Sequence, residues 1–135
     1  MATAHFTNLP VYLKALEVFK ISRAISYCVG DSENILRLGH SNNRNSRFAQ
    51  DIVMDSLALA PQLALLQNTD SPSRRLSHIK KIKKAAKNIL FKCRKLEIQN
   101  LKEREFLVIL TAEIQQFEKL FSEWLDGLQL QKGLH

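Results

Sequence analysis

The sequence predicts an all-α protein, an up-down-up-down four-helix bundle assembled into a ring-like homo-oligomer. Two observations lead to the four-helix bundle. Only 4 Gly and 3 Pro occur in 135 residues, so residues that favour turns are scarce. Apolar residues recur at steps of three and four in four successive segments, which is the period of amphipathic helices. The length and the hydrophobic content of 45% predict one domain over residues 1–135 with a single core.

The first predicted helix covers residues 9–29 and places Pro10 near its first turn, where a missing N–H costs least. Its apolar residues form two stripes, Tyr12, Leu16 and Phe19 in one and Val11, Val18, Ile21, Ile25 and Cys28 in the other. The residues left for water are Lys14, Glu17, Lys20 and Arg23. Because this apolar surface exceeds what one four-helix core covers, we expect a symmetric oligomer.

Residues 30–46 are polar and rich in Asn and Ser, so they are expected to connect the first two helices. The second predicted helix covers residues 46–67 and contains the apolar positions Phe48, Ile52, Val53, Leu57, Leu59, Leu63 and Leu66. Pro61 lies inside this helix and removes one backbone hydrogen bond. The sequence therefore predicts a kink or a local break near residues 57–60.

The third predicted helix covers residues 72–97, with Ser71 as its N-cap and Pro72 at its first position. Its core stripe is predicted to be Leu76, Ile79, Ile82, Ala86, Ile89, Cys93 and Leu96. The fourth predicted helix covers residues 101–128, with a heptad-like stripe of Leu107, Leu110, Ile114, Phe117, Phe121, Trp124 and Leu128. Between positions 97 and 126 the sequence contains seven acidic and three basic residues. This acidic helix is therefore expected to pair with basic surfaces within the bundle or across subunits.

The third helix has the most informative charge pattern in the chain. It carries ten of the 20 basic residues, and no acidic residue occurs between Asp70 and Glu97. A surface with only positive charges favours binding of phosphate groups. A face that is merely solvated usually carries both acidic and basic residues. Binding of an acidic protein partner is the remaining alternative. The predicted nucleic-acid-binding residues are Arg74, Lys80, Lys81, Lys83, Lys84, Lys87, Phe91, Lys92, Arg94 and Lys95. Phe91 is a candidate for base stacking, for a subunit contact or for packing on a neighbouring helix.

The sequence contains no motif that indicates catalysis. There is no glycine-rich phosphate loop, HExxH, CxxC or nucleophile elbow, and His5, His40, His78 and His135 are each isolated. We therefore expect no enzymatic activity, no metal and no cofactor. No apolar run spans a bilayer and the first residues do not resemble a signal peptide, so a cytoplasmic protein with Cys28 and Cys93 as free thiols is expected.

Four segments, in order, resemble a bacterial four-helix-bundle family: LPVYLKALEVFKISRAI (9–25), RLG (37–39), the basic third helix and SEWLDG (122–127). The family comprises the accessory variability determinant proteins of diversity-generating retroelements and relatives encoded in intervening sequences of large-subunit rRNA genes. The resemblance implies no catalytic residue. The positions that it implies to be structural are Leu9, Pro10, Tyr12, Leu38, Gly39, Trp124 and Leu125. The polar stretch 40–46 and Pro61 depart from the family pattern.

The resemblance implies a homopentameric barrel of basic bundles that binds RNA or DNA and the retroelement reverse transcriptase. Such proteins are needed when template RNA is copied mutagenically into a variable gene, in the process called mutagenic retrohoming. The prediction is therefore a non-enzymatic basic accessory protein that binds nucleic acid and a reverse transcriptase. The alternative is a structural or interaction bundle whose basic face docks an acidic protein partner.

Overall fold

A computed structural model describes residues 6–36, 43–98 and 104–133. Four long helices occupy these ranges: α1 (Pro10–Leu36), α2 (Asn43–Asn68), α3 (Pro72–Ile98) and α4 (Arg104–Gly133). No strand occurs within the described ranges. The predicted all-α class with four helices is confirmed, while the ring-like oligomer stays a prediction. None of these helices is, over its described residues, long and apolar enough to cross a membrane.

The four helices pack in cyclic order, because α1 and α3 each contact both α2 and α4. Contacts between α2 and α3 show that these two helices are antiparallel. Gln62 is hydrogen bonded to His78 at 2.8 Å, while the earlier residue Asp51 pairs with the later residue Lys92 at 3.0 Å. Each helix buries one stripe towards the shared axis, as in a four-helix bundle.

The contact between α1 and α4 is also antiparallel. Phe6, just before α1, lies 6.2 Å from Trp124 in ring centroids, and Lys14 Nζ donates to Glu113 Oε2 at 2.6 Å. Both side chains of this ion pair are about one quarter exposed. Lys14 was expected to face water, and that expectation is wrong because α4 supplies a carboxylate beside it.

The core is formed by the inward stripes of the four helices. On α3 the buried residues are Ile82, Ala85, Ala86, Ile89, Cys93 and Leu96, which includes five members of the predicted stripe. Leu76 is 52% exposed, and its predicted burial is wrong. Two successive steps of three residues turn Leu76 away from the core, because three residues fall short of the 3.6 that complete a turn.

Two further apolar positions differ from the predicted stripes. Leu16 on α1 and Leu57 on α2 are exposed rather than buried, and Ala15 and Ser56 occupy the inward positions next to them. Both apolar stripes predicted for the first helix reach the core in part. Val11, Val18 and Ile25 of one stripe are buried, and Tyr12 of the other is half-buried and packs against the core.

Three helix boundaries differ by three residues or more from those that the sequence predicts, and one of them is the end of α4, which lies at Gly133 rather than at residue 128. Helix α1 continues through the polar residues after Val29 to Leu36, and α2 already begins at Asn43. Polar residues exclude a segment from a core but do not prevent helix formation, since their propensities differ from that of Ala by less than about 1 kcal/mol. The predicted start of the fourth helix, residues 101–103, and the segment 37–42 lie outside the described residues.

Helix α2 is continuous through Pro61, so the predicted local break is not present. Pro61 and Leu57, whose carbonyl group loses its usual N–H partner, are both exposed. Water can therefore solvate the freed carbonyl, which lowers the cost of a proline inside the helix.

The turn between α2 and α3 follows the predicted capping. The Arg74 backbone N–H donates to Ser71 Oγ at 3.4 Å and the Arg75 N–H to the Ser71 carbonyl at 2.9 Å, so Ser71 is the N-cap and Pro72 the first helical residue. The Arg75 guanidinium donates to the carbonyl groups of Leu66 and Thr69 at 3.3 and 3.1 Å. Arg75 thus caps the C-terminal end of α2 and orients the start of α3.

Candidate nucleic-acid interface

Six of the ten predicted site residues form one exposed surface on α3, which we call the basic face: Lys80, Lys84, Lys87, Phe91, Arg94 and Lys95. At 3.6 residues per turn these side chains lie within an arc of about 100° opposite the buried stripe. The stretch from Lys80 to Lys95 is about 22 Å long at 1.5 Å per residue. The basic face is therefore one helix wide and about four turns long.

Three other predicted residues lie beside this face rather than on it. Arg74 and Lys81 are exposed on the edge of α3 that is nearer to α2. Lys83 is exposed on the opposite edge, where it lines the cleft between α3 and α4. These positions widen the positively charged surface at both edges.

Lys92 is the predicted residue that the structure pairs with an acidic side chain. Its ammonium group lies 3.0 Å from Asp51 Oδ2 on α2, and 22% of its side chain remains exposed. Among the ten predicted residues it is the one that has a carboxylate within 4.0 Å in the described part of the chain. Its role in phosphate binding stays a prediction, and α2 places a carboxylate beside its charge.

Asp51 and Asp55 are the residues near the site that the sequence interpretation missed. They are one helical turn apart on α2, a spacing that places both carboxylates on the same side of the helix. Burial raises the pKa of the Asp55 carboxyl above its ordinary value, since desolvation outweighs the nearby Lys92 and Lys84 ammonium groups and Asp51 adds to the rise. The side of α3 that faces α2 is thus partly neutralised.

Phe91 lies on the basic face, one helical turn before its last residue, Lys95, and is 57% exposed. Its ring is contacted by the Lys95 ammonium group, whose nitrogen is 5.2 Å from the ring centroid. This cation–π contact joins two residues that are one helical turn apart, and it orients both side chains. Of the three roles considered for Phe91, packing against a neighbouring helix of the same chain does not agree with its exposure.

A cleft of about 350 Å³ separates the basic face from α4. Its rim carries Lys83 and Lys87 from α3 and Glu118 and Asp126 from α4, and Phe117 forms part of its floor. Opposite charges therefore meet along this side of the bundle without an ion pair shorter than 4.0 Å among the described residues. The acidic fourth helix reduces the positive potential at this edge of α3, as α2 does at the other.

The outward faces of α1 and α2 carry exposed apolar residues, and of these the sequence names only Leu16 of α1 in the apolar surface from which it predicts an oligomer. Leu13, Leu16 and Tyr27 are exposed on α1, and Met54, Leu57 and Leu65 are exposed on α2. Since α1 and α2 are neighbours in the bundle, these residues belong to adjoining surfaces. Exposed apolar surface of this kind is typical of interfaces.

Cysteine and histidine residues do not form a reactive cluster in the described part of the chain. Cys93 is buried and Cys28 half-buried, and both are free thiols, as predicted. Burial raises the pKa of the Cys93 thiol to about 12. No group of three or more His, Cys, Asp or Glu residues that could hold a metal ion occurs among the described residues, and His5, His40 and His135 lie outside them.

The chain was also compared with known proteins. No family model, curated protein or solved structure matches it.

Proposed function

We propose that this protein is a non-enzymatic accessory protein that binds the phosphate backbone of nucleic acids through the basic face of α3. The observation that carries the proposal is the basic face itself, five ammonium or guanidinium groups around an exposed aromatic ring on one helix surface. Phosphate-rich polymers satisfy such a surface by releasing their condensed counterions. No described element presents a recognition-helix arrangement, so binding is expected to be independent of sequence.

The family resemblance extends the proposal to partners and assembly. On that basis the protein acts in the cytoplasm as a homopentamer and binds a reverse transcriptase during mutagenic retrohoming. The apolar residues exposed on α1 and α2 support an oligomer, because a monomer would leave them in contact with water. Light scattering that returns a monomer mass at micromolar concentration would contradict the assembly.

The binding test reverses four charges of the basic face, Lys80, Lys84, Lys87 and Lys95, to Glu. All four side chains are exposed, and Glu has nearly the helix propensity of Lys, so the variant should fold. We expect its affinity for RNA and duplex DNA to be lost. For the parent protein, neutralisation of about five phosphates of duplex DNA predicts a log affinity that falls against log salt with a slope of about −4 to −5.

A matched control separates the location of the charges from their sum. Reversing Lys20, Arg23, Arg104 and Lys119 to Glu changes exposed residues of α1 and α4 and, like the first variant, lowers the formal net charge from +7 by eight units to −1. This control should retain most of the binding. Equal loss in both variants would mean that only net charge matters, and unchanged binding in the first would favour an acidic protein partner instead.

A further inference from the structure

We infer that the basic face selects single-stranded nucleic acid, with the Phe91 ring stacking on an unpaired base while the surrounding basic groups bind its phosphates. This inference rests on the proposed function and names the substrate of the same surface. It depends on the position and exposure of one aromatic ring among five basic side chains.

The residues one helical turn from Phe91 are polar or basic on both sides. Lys87 and Asn88 precede it by four and three positions, and Arg94 and Lys95 follow it by three and four. Side chains at these spacings are neighbours on a helix surface, with Cβ atoms about 5–6 Å apart. The ring therefore lies among three basic side chains, Lys87, Arg94 and Lys95, each one turn away.

An aromatic ring in such a position has a direct use with an unpaired base. A base offers a flat π-surface whatever its identity, so stacking adds affinity without sequence readout. The Lys95 nitrogen lies over one side of the ring, and the exposed fraction of 57% leaves ring surface for a base. The phosphates on either side of that base would then face Lys87 and Arg94.

A duplex cannot make the same contact without paying for it. Its bases are stacked on one another inside the helix, and a side chain that enters between them must first unstack a step. Phosphate contacts remain open to both kinds of nucleic acid, since the surrounding lysines are exposed. Phe91 should therefore increase affinity for single strands and leave affinity for duplexes unchanged.

The other exposed aromatic residues do not have this environment. Tyr27 on α1 has one basic residue, Arg23, one turn before it. Phe106 on α4 is followed one turn later by Ile109 and Leu110 rather than by basic residues. Phe106 is consequently a matched control for the same substitution at a position that should not stack on a base.

The experiment compares Phe91→Leu and Phe106→Leu with the parent protein on three probes: oligouridylate, oligothymidylate and a blunt duplex with the same number of phosphates. Leu has a better helix propensity than Phe, and Phe91 is mostly exposed, so the fold should be retained. We expect Phe91→Leu to weaken binding of the single strands about tenfold and of the duplex less than about twofold. Phe106→Leu should change none of them.

A fluorescence measurement reports the stacking itself. Phe91→Trp places an indole on the basic face, whereas the natural Trp124 packs against Phe121 and Phe6 and provides the background seen in the parent protein. Stacking on a base should quench the added fluorescence when the single strands bind and leave it unchanged with the duplex. A loss of affinity on oligouridylate alone would assign the site to RNA, and on oligothymidylate alone to DNA.

Three results would overturn the inference. They are equal weakening of single strands and duplex by Phe91→Leu, no weakening of either, and a change of oligomer mass with unchanged binding. If the four-residue charge reversal abolishes binding while Phe91→Leu has no effect, the proposed function stands and only the single-strand inference fails. If the charge-reversed variant binds as the parent does, the proposed function fails as well.

Discussion

Helix α3 offers a direct test of which of its surfaces is structural, because two isoleucines lie on opposite faces. Ile89 is fully buried, while Ile98 is 75% exposed at the last turn of the same helix. Replacing each by Ala makes the same chemical change in two environments. The substitution removes three carbon groups, which are worth about 2.4 kcal/mol at about 0.8 kcal/mol for each when they are fully buried.

The cavity left at Ile89 adds to this loss, so Ile89→Ala should lower the free energy of unfolding by about 3 kcal/mol, within the range of about 2 to 5 kcal/mol for such sites. Ile98→Ala should change it by less than about 0.5 kcal/mol, since most of that side chain already contacts water. Folded Ile89→Ala should still bind nucleic acid, because the basic face is on the opposite side of α3.

The assay is urea unfolding followed by circular dichroism, with each variant measured at two protein concentrations because an oligomer gains stability with concentration. The slope of the free energy against urea should agree among the three proteins, so that the midpoints compare stability alone. Similar costs for the two substitutions, or a cost below about 1 kcal/mol at Ile89, would refute the assignment of the buried stripe and of the basic face opposite to it.

Three further predictions concern titratable and reactive groups. At pH 8 a thiol reagent should modify Cys28 in the folded protein but Cys93 only after urea is added, because the pKa of Cys93 is raised to about 12 and its side chain is buried. Asp55→Asn should raise the urea midpoint at pH 7. Because the pKa of the Asp55 carboxyl is raised in the folded state, its ionised form destabilises the fold at pH 7, and Asn removes this cost. The gain in stability should disappear near pH 3, where the Asp55 carboxyl is protonated in both the folded and the unfolded chain. Asp51→Asn should release Lys92 from its ion pair and so tighten RNA binding. The slope of log affinity against log salt should become steeper by the equivalent of about one phosphate contact, as filter binding over a salt series would show.

The helices could be predicted from the sequence because their apolar periodicity extends over many turns. Five of the seven residues predicted for the core stripe of α3 are buried, from Ile82 to Leu96. The predicted burial of Leu76 is wrong because the first two steps of the stripe are three residues each, which is less than a full turn, so the stripe rotates away from the core at its start. Periodicity is informative in the middle of a helix, where the core is present on one side throughout, and less so at the end.

The extent of α1 could not be predicted in this way. Residues after Val29 are polar, so they give no apolar period, yet the helix continues to Leu36. Hydrophobic patterns report burial rather than backbone conformation, and a polar extension of a helix that is already nucleated costs little. The effect of Pro61 could not be predicted either. It depends on whether water reaches the Leu57 carbonyl group that Pro61 leaves without a partner, and not on the sequence around it.

The basic face was predictable as a set of residues, but its division into free and neutralised cations was not. Lys92 and Lys95 have the same charge and lie three positions apart, yet one is bound to Asp51 and the other lies over the ring of Phe91. Asp51 is 41 positions from Lys92 in the chain, so no local pattern connects them. Two acidic residues one turn apart on a neighbouring helix are the feature that indicates such pairing in retrospect.

The neutralised edges shape what the basic face can bind. Asp51 and Asp55 of α2 lie beside one edge of α3, and Glu118 and Asp126 of α4 line the cleft at the other. The positive potential is therefore concentrated on the outward surface, a strip one helix wide and about 22 Å long, with Phe91 one turn before its C-terminal end. A ligand that matches this strip is narrow, negatively charged along its length, and offers a flat surface between its charges. A single strand of RNA or DNA has all three properties along its whole length.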